Sequence, residues 1–145
     1  MHRIARILCA ALFLTATSAH AHGYAIGGVR VQHPWARETA ASTREAPVFM
    51  RIYNQGHAPE RLLSATSAVA KRVELRTGMS PTAAIALPAR KSITLEPGGL
   101  HLLLADLERP LLKGERFILL LRFERSGELS IEVEVQSADS KRPRH

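Results

Sequence analysis

Sulfur and imidazole are the side chains in this sequence that could hold a soft metal ion. His2 and His20 fall in an apparent N-terminal leader, set aside below; five histidines then remain, at positions 22, 33, 57, 101 and 145, with two methionines, at 50 and 79. Thioether sulfur favours Cu(I), and imidazole suits both Cu(I) and Cu(II). Met79 lies in the turn-rich run Arg76-Thr77-Gly78-Met79-Ser80-Pro81, which suits either a loop ligand or a plug at a barrel end. His101 follows Gly98-Gly99 and opens the apolar run Leu102–Leu104. It reads as a ligand at the rim of a strand, or as a ring bonded to the turn backbone. His22 would become the N-terminus if the leader is cut after Ala21. Its α-amine and imidazole would then form a two-nitrogen chelate for Cu(II), the alternative being a frayed end. Met50 alternates with Val48 and Ile52 and belongs to a core stripe. His33 precedes Pro34-Trp35 and is expected to pack on the indole or cap a strand; His57 and His145 are expected in solvent.

The elements that must position these residues are short strands separated by Gly, Pro, Asn and Ser. The spans are Val29–His33, Val48–Tyr53, Arg61–Ser67, Arg72–Leu75, Ala84–Leu87, Ser92–Leu95, His101–Leu104, Arg116–Glu124 and Glu128–Gln136. In the last, Leu129, Ile131, Val133 and Val135 alternate with Ser130, Glu132 and Glu134, the period of a strand with one buried face. Arg125-Ser126-Gly127 reads as a hairpin connection, and Glu96-Pro97-Gly98-Gly99 as a tight turn. The polar stretch Arg37–Glu45 reads as a surface loop. About nine short strands with frequent turns imply an all-β Greek-key β-sandwich or small barrel.

Residues 1–21 have the form of a secretory signal peptide. Arg3 and Arg6 precede the apolar run Ile7–Ala16, and Ala19-His20-Ala21 fits a small-residue cleavage site. The apolar run is about half of the roughly 20 residues a membrane-spanning helix needs, so no stable membrane insertion is expected after cleavage. The only cysteine, Cys9, would leave with the leader. The remaining domain, residues 22–138, would carry no disulfide and no thiolate ligand. Residues 139–145 form a basic tail, expected to be flexible. The formal net charge of +7 falls to near +5 once Arg3 and Arg6 go. The cations are scattered and few aromatics accompany them, so a nucleic-acid partner is not expected, and the charge supports at most a weak attraction to anionic surfaces.

No G-x-S-x-G elbow, H-E-x-x-H helix or Gly-rich phosphate loop occurs. The chain is therefore not expected to be an enzyme.

The segments His33-Pro34-Trp35-Ala36-Arg37, Phe49-Met50-Arg51-Ile52-Tyr53-Asn54, Val73-Glu74-Leu75 and Leu95-Glu96-Pro97-Gly98-Gly99-Leu100-His101 resemble those of the periplasmic copper chaperones of the PCu(A)C type. The resemblance covers nearly the whole chain beyond the leader. It implies a cupredoxin-like β-sandwich, binding of copper as Cu(I) rather than Cu(II), and delivery to cytochrome c oxidase through a periplasmic or membrane-anchored acceptor protein. The family's ligands follow the pattern H-x(10)-M-x(21)-H-x-M. Met79 and His101 match the second spacing. Arg76 stands where the first His belongs, and Leu103 where the final Met belongs. A guanidinium keeps its charge in proteins and repels a cation. Two functions follow: a periplasmic copper-binding chaperone with a reduced site at Met79 and His101, helped by His22; or a metal-free interaction module on the same scaffold.

Overall fold

The computed structural model describes residues 23–144. The expected leader (residues 1–21), His22 and His145 lie outside the described residues. The chain is all-β: among the described residues there is no helix, and eleven strands join in one curled sheet. They are β1 (Gly23–Ile26), β2 (Val29–Arg37), β3 (Glu45–Asn54), β4 (Glu60–Thr66), β5 (Ala70–Thr77), β6 (Ser80–Pro81), β7 (Ile85–Leu87), β8 (Lys91–Leu95), β9 (Leu100–Leu107), β10 (Arg116–Phe123) and β11 (Gly127–Gln136). The main path runs β6-β5-β9-β3-β2-β11-β10-β4-β7, with β1 on β2 and β8 on β3. Among the described strands, only β11 with β2 is a parallel pair. The curl brings β7 against β3 and β8, which closes the sheet over one core.

Alternation decides what enters that core. Ala46, Val48, Met50 and Ile52 of β3 and Leu102 and Leu104 of β9 point inward and pack with Ile131, Val133 and Val135 of β11. Met50 is core, as its spacing implies, at 2% exposure.

β2 changes faces midway. Val29 and Val31 point inward, yet Ala36, not Trp35, resumes the core stripe. The cause is a bulge: the β2–β3 register shifts between Gln32 and Trp35, and His33 has φ 50. One extra residue turns every later side chain to the opposite face. Trp35 and Arg37 thus lie on the outer face beside Phe49, with Trp35 and Phe49 ring centroids 4.7 Å apart. The Arg37 guanidinium sits 5.6 Å from the Phe49 ring centre and 5.7 Å from that of Trp35, a cation–π arrangement.

Buried Glu60, at 4% exposure, ties the start of β4 to the β10–β11 turn. Its carboxylate accepts from the backbone N–H groups of Arg61, Arg125 and Ser126, each at 2.9 Å, and from the Ser126 hydroxyl. Burial pushes its pKa up, but these donors outweigh burial and hold it below 4.5.

The basic C-terminal segment runs back along β2 and β11. Gln136 clamps it from both sides of its amide: Nε2 donates to the Arg142 carbonyl at 2.9 Å, and Oε1 accepts from the Arg144 N–H at 2.6 Å. Arg37 Nε donates to the Ser140 carbonyl at 2.7 Å.

Candidate metal centre

β3 pairs with two strands in succession on one side. Its first half, Glu45–Val48, meets β9, and its second, Met50–Asn54, meets β8. The chain between β8 and β9 must therefore loop out opposite Phe49. It does so as a closed turn, with Glu96 N–H to the Leu100 carbonyl at 2.9 Å and Gly99 N–H to the Glu96 carbonyl at 3.0 Å. His101 is where the chain re-enters the sheet. Since Leu102 and Leu104 point inward, His101 and Leu103 point outward. The His101 ring lies 6.3 Å from that of Phe49.

Met79 is carried by the neighbouring hairpin. Thr77 pairs with Ser80 across β5 and β6, leaving Gly78 and Met79 as the loop. Gly78 has φ +58, which fits a type II′ turn with glycine first. The Met79 side chain is 90% exposed, so it plugs no barrel end.

Gly99 joins the two pieces. Its carbonyl accepts from the Gly78 N–H at 3.1 Å and from His101 Nδ1 at 2.9 Å. A carbonyl only accepts, so Nδ1 must carry the ring proton in the neutral imidazole, which leaves Nε2 with the free lone pair. A ring whose other N–H is fixed by a backbone carbonyl is oriented in the way metal-ligating histidines are. Of the two readings of His101 open in the sequence, the bond to the turn backbone is present, and it leaves Nε2 available to a second partner.

Arg76 and Leu103 lie within the same pairing. Arg76 is opposite His101, and Glu74 opposite Leu103. The Arg76 guanidinium binds Glu74 Oε2 through Nη2 at 2.6 Å and Nε at 3.1 Å, and Nη1 donates to the Met79 carbonyl at 3.0 Å. Glu74 also meets Arg72 at 3.3 Å, and Arg72 in turn pairs with Asp106. Arg76 and then Arg72 hold the Glu74 carboxyl below its ordinary 4.5. The charge of Arg76 is thus compensated on the side away from the hairpin tip. Leu103, at 8% exposure, fills the outer face under this ion-pair row.

The fold therefore brings Met79 and His101 to one end of the sheet. His33 sits at the β2 bulge, and His57 is exposed in the β3–β4 loop. Among the described residues no three His, Cys, Asp or Glu gather as a metal site. Two partners went unread in the sequence: Glu74, which neutralises Arg76, and Phe49, which backs the imidazole. The parity of β3 already placed Phe49 opposite its core stripe; the ion pair had no such signal.

A family model described as LpqE-like, putative lipoprotein LpqE-like, matches residues 29–135. The copper-bound PCuAC domain from PmoF2 superposes with a TM-score of 0.76 at 31% identity, covering 80% of this chain and 98% of that one. The apo PCuAC domain of PmoF2 does so with a TM-score of 0.76 at 30% identity, covering 83% and 98%. The putative lipoprotein Lxx21020 of Leifsonia xyli subsp. xyli (strain CTCB07) is 27% identical over 128 residues, which span 82% of this chain and 76% of that protein.

Proposed function

Since the chain belongs to the LpqE-like family and shares the cupredoxin-like fold of PCuAC copper-chaperone domains, we propose that it is a periplasmic copper-handling protein, not an enzyme, with a reduced Cu(I) site at Met79 and His101. The observation that carries this reading is the shared Gly99 carbonyl, which orients His101 with Nε2 free beside the hairpin that displays Met79. Cu(I) is the cargo. A thioether and an imidazole can hold it with two soft or borderline ligands. An exposed pair of this kind exchanges readily, because an incoming ligand from an acceptor meets the ion without first displacing a shell of protein. The acceptor would be a periplasmic or membrane-anchored protein, with cytochrome c oxidase assembly as the destination. The names of the relatives, as lipoproteins, agree with a location outside the cytoplasm, as does the leader-like start of the sequence. His22 would add an amine and an imidazole if cleavage falls after Ala21.

A second reading rests on Arg76 and Leu103. A cation tied to Glu74 and a buried leucine at two ligand positions suit a metal-free interaction module. Titration of the protein, cleaved after Ala21, with Cu(I) against a competing chelator separates the two. The copper reading expects saturable binding that a Met79→Ala/His101→Ala double variant loses. Equal, weak uptake by both proteins sinks it and leaves the module.

A further inference from the structure

A cavity of about 350 Å³ lies between the β3–β8 ladder and the returning C-terminal segment. We propose that it binds a small organic anion with a short apolar chain, such as a medium-chain carboxylate. The volume falls within the roughly 300–1,000 Å³ of small-molecule sites. The walls divide by chemistry. Trp35, on the outer face, and Pro97 and Pro143 supply the apolar side; Met50 and Leu95 border it from positions whose side chains turn into the core. Arg51, from β3, and Lys141 and Arg142, from the C-terminal segment, supply the cationic side, against a single carboxylate at Glu96.

Several cations on the sheet are paired. Arg61, Arg72, Arg76, Arg109 and Arg116 each meet a carboxylate. Among the described residues, Arg51, Lys141 and Arg142 have no acid within ion-pair distance, and the Arg51 guanidinium reaches only the Ser92 hydroxyl, at 3.4 Å. The positive rim continues into an adjoining hollow that holds Arg30 and Arg51 with Tyr53 and no acid. Unpaired guanidinium and ammonium groups beside an apolar wall match a ligand with an anionic head and a hydrocarbon body. The wall contributed by the C-terminal segment is held by the Gln136 amide and by Arg37, which positions Lys141 and Arg142 over the opening.

Trp35 is the only tryptophan in the chain, so its emission reports on this cavity. The experiment titrates the protein with octanoate, octylamine and inorganic phosphate and follows Trp35 fluorescence, with circular dichroism to confirm that each variant is folded. Octanoate should shift the emission saturably, while octylamine and phosphate should not at the same concentrations. Arg51→Ala should weaken octanoate binding by about tenfold or more, and so should a chain ending at Ala138. Arg51 is exposed, so that variant remains informative if the shortened chain fails to fold. A Met79→Ala/His101→Ala variant should bind octanoate unchanged, which keeps this proposal separate from the copper reading. An unsaturable response, an equal response to octylamine, or wild-type affinity in Arg51→Ala would overturn it.

Discussion

At the scale of single residues, one carbonyl organises the candidate centre. Gly99 fixes the His101 tautomer and anchors the hairpin that carries Met79. Removing either ligand should matter more than removing any neighbour: Met79→Ala and His101→Ala should each weaken Cu(I) affinity by about tenfold or more in a competition titration. The reverse change is also informative. Arg76→His with Leu103→Met replaces a tethered cation and a buried leucine by an imidazole and a thioether, and it should tighten Cu(I) binding in the same assay. Unchanged affinity would mean that the backbone around Arg76 does not present its side chain to the ion. Glu74→Gln should weaken Cu(I) binding, because it leaves the Arg76 charge uncompensated on the strand beside His101. The spacing of Met79 and His101 was legible as a pattern, and so was the intrusion of Arg76. That Arg76 is neutralised by Glu74 was not, because residues two apart on a strand share a face without being bound to meet.

At the scale of elements, the nine expected strands all form; most are longer than expected, while Ser67, Ala84 and Glu124 fall just outside theirs. β1 and β6 were not anticipated. Gly23–Ile26 has little strand propensity of its own and is held by pairing to β2, and Ser80–Pro81 is only the closing pair of a hairpin. Two predictions belong here. Glu60→Ala leaves three backbone N–H groups without their acceptor and should cost about 3 kcal/mol of unfolding free energy in urea. The Glu60 carboxyl is held below 4.5 in the folded chain, so its contribution is complete above about pH 4.5 and disappears as the pH falls through the lowered folded value. Glu60→Gln should therefore lose part of that acid sensitivity when stability is compared between neutral pH and pH 4. Gly78→Ala meets no neighbour within 4 Å but must adopt φ +58. It should cost about 1 kcal/mol through backbone strain alone, a loss readable as a lowered Tm.

At the scale of the whole molecule, stability rests on the single core inside the curled sheet, in a domain for which no disulfide is expected. Leu104 is fully buried there, and Leu104→Ala should cost about 3 kcal/mol by denaturant titration, the sum of lost transfer energy and a cavity. A cost below about 1 kcal/mol would mean that this part of the core collapses around the gap. The sequence by itself determined the all-β class, the inward stripes of β3, β9 and β11, and the distance along the chain from Met79 to His101. Each of these follows from local periodicity or counting, which depend only on near neighbours. Tertiary structure alone decided that β8 and β9 share one side of β3, so that the chain loops out opposite Phe49 and returns at His101. It also decided that a bulge at His33 turns Trp35 outward, and that the C-terminal segment lies over Trp35. Those arrangements depend on hydrogen bonds between residues far apart in the chain, such as Arg37 to Ser140. Such bonds form only when the sheet has curled and brought their partners within reach.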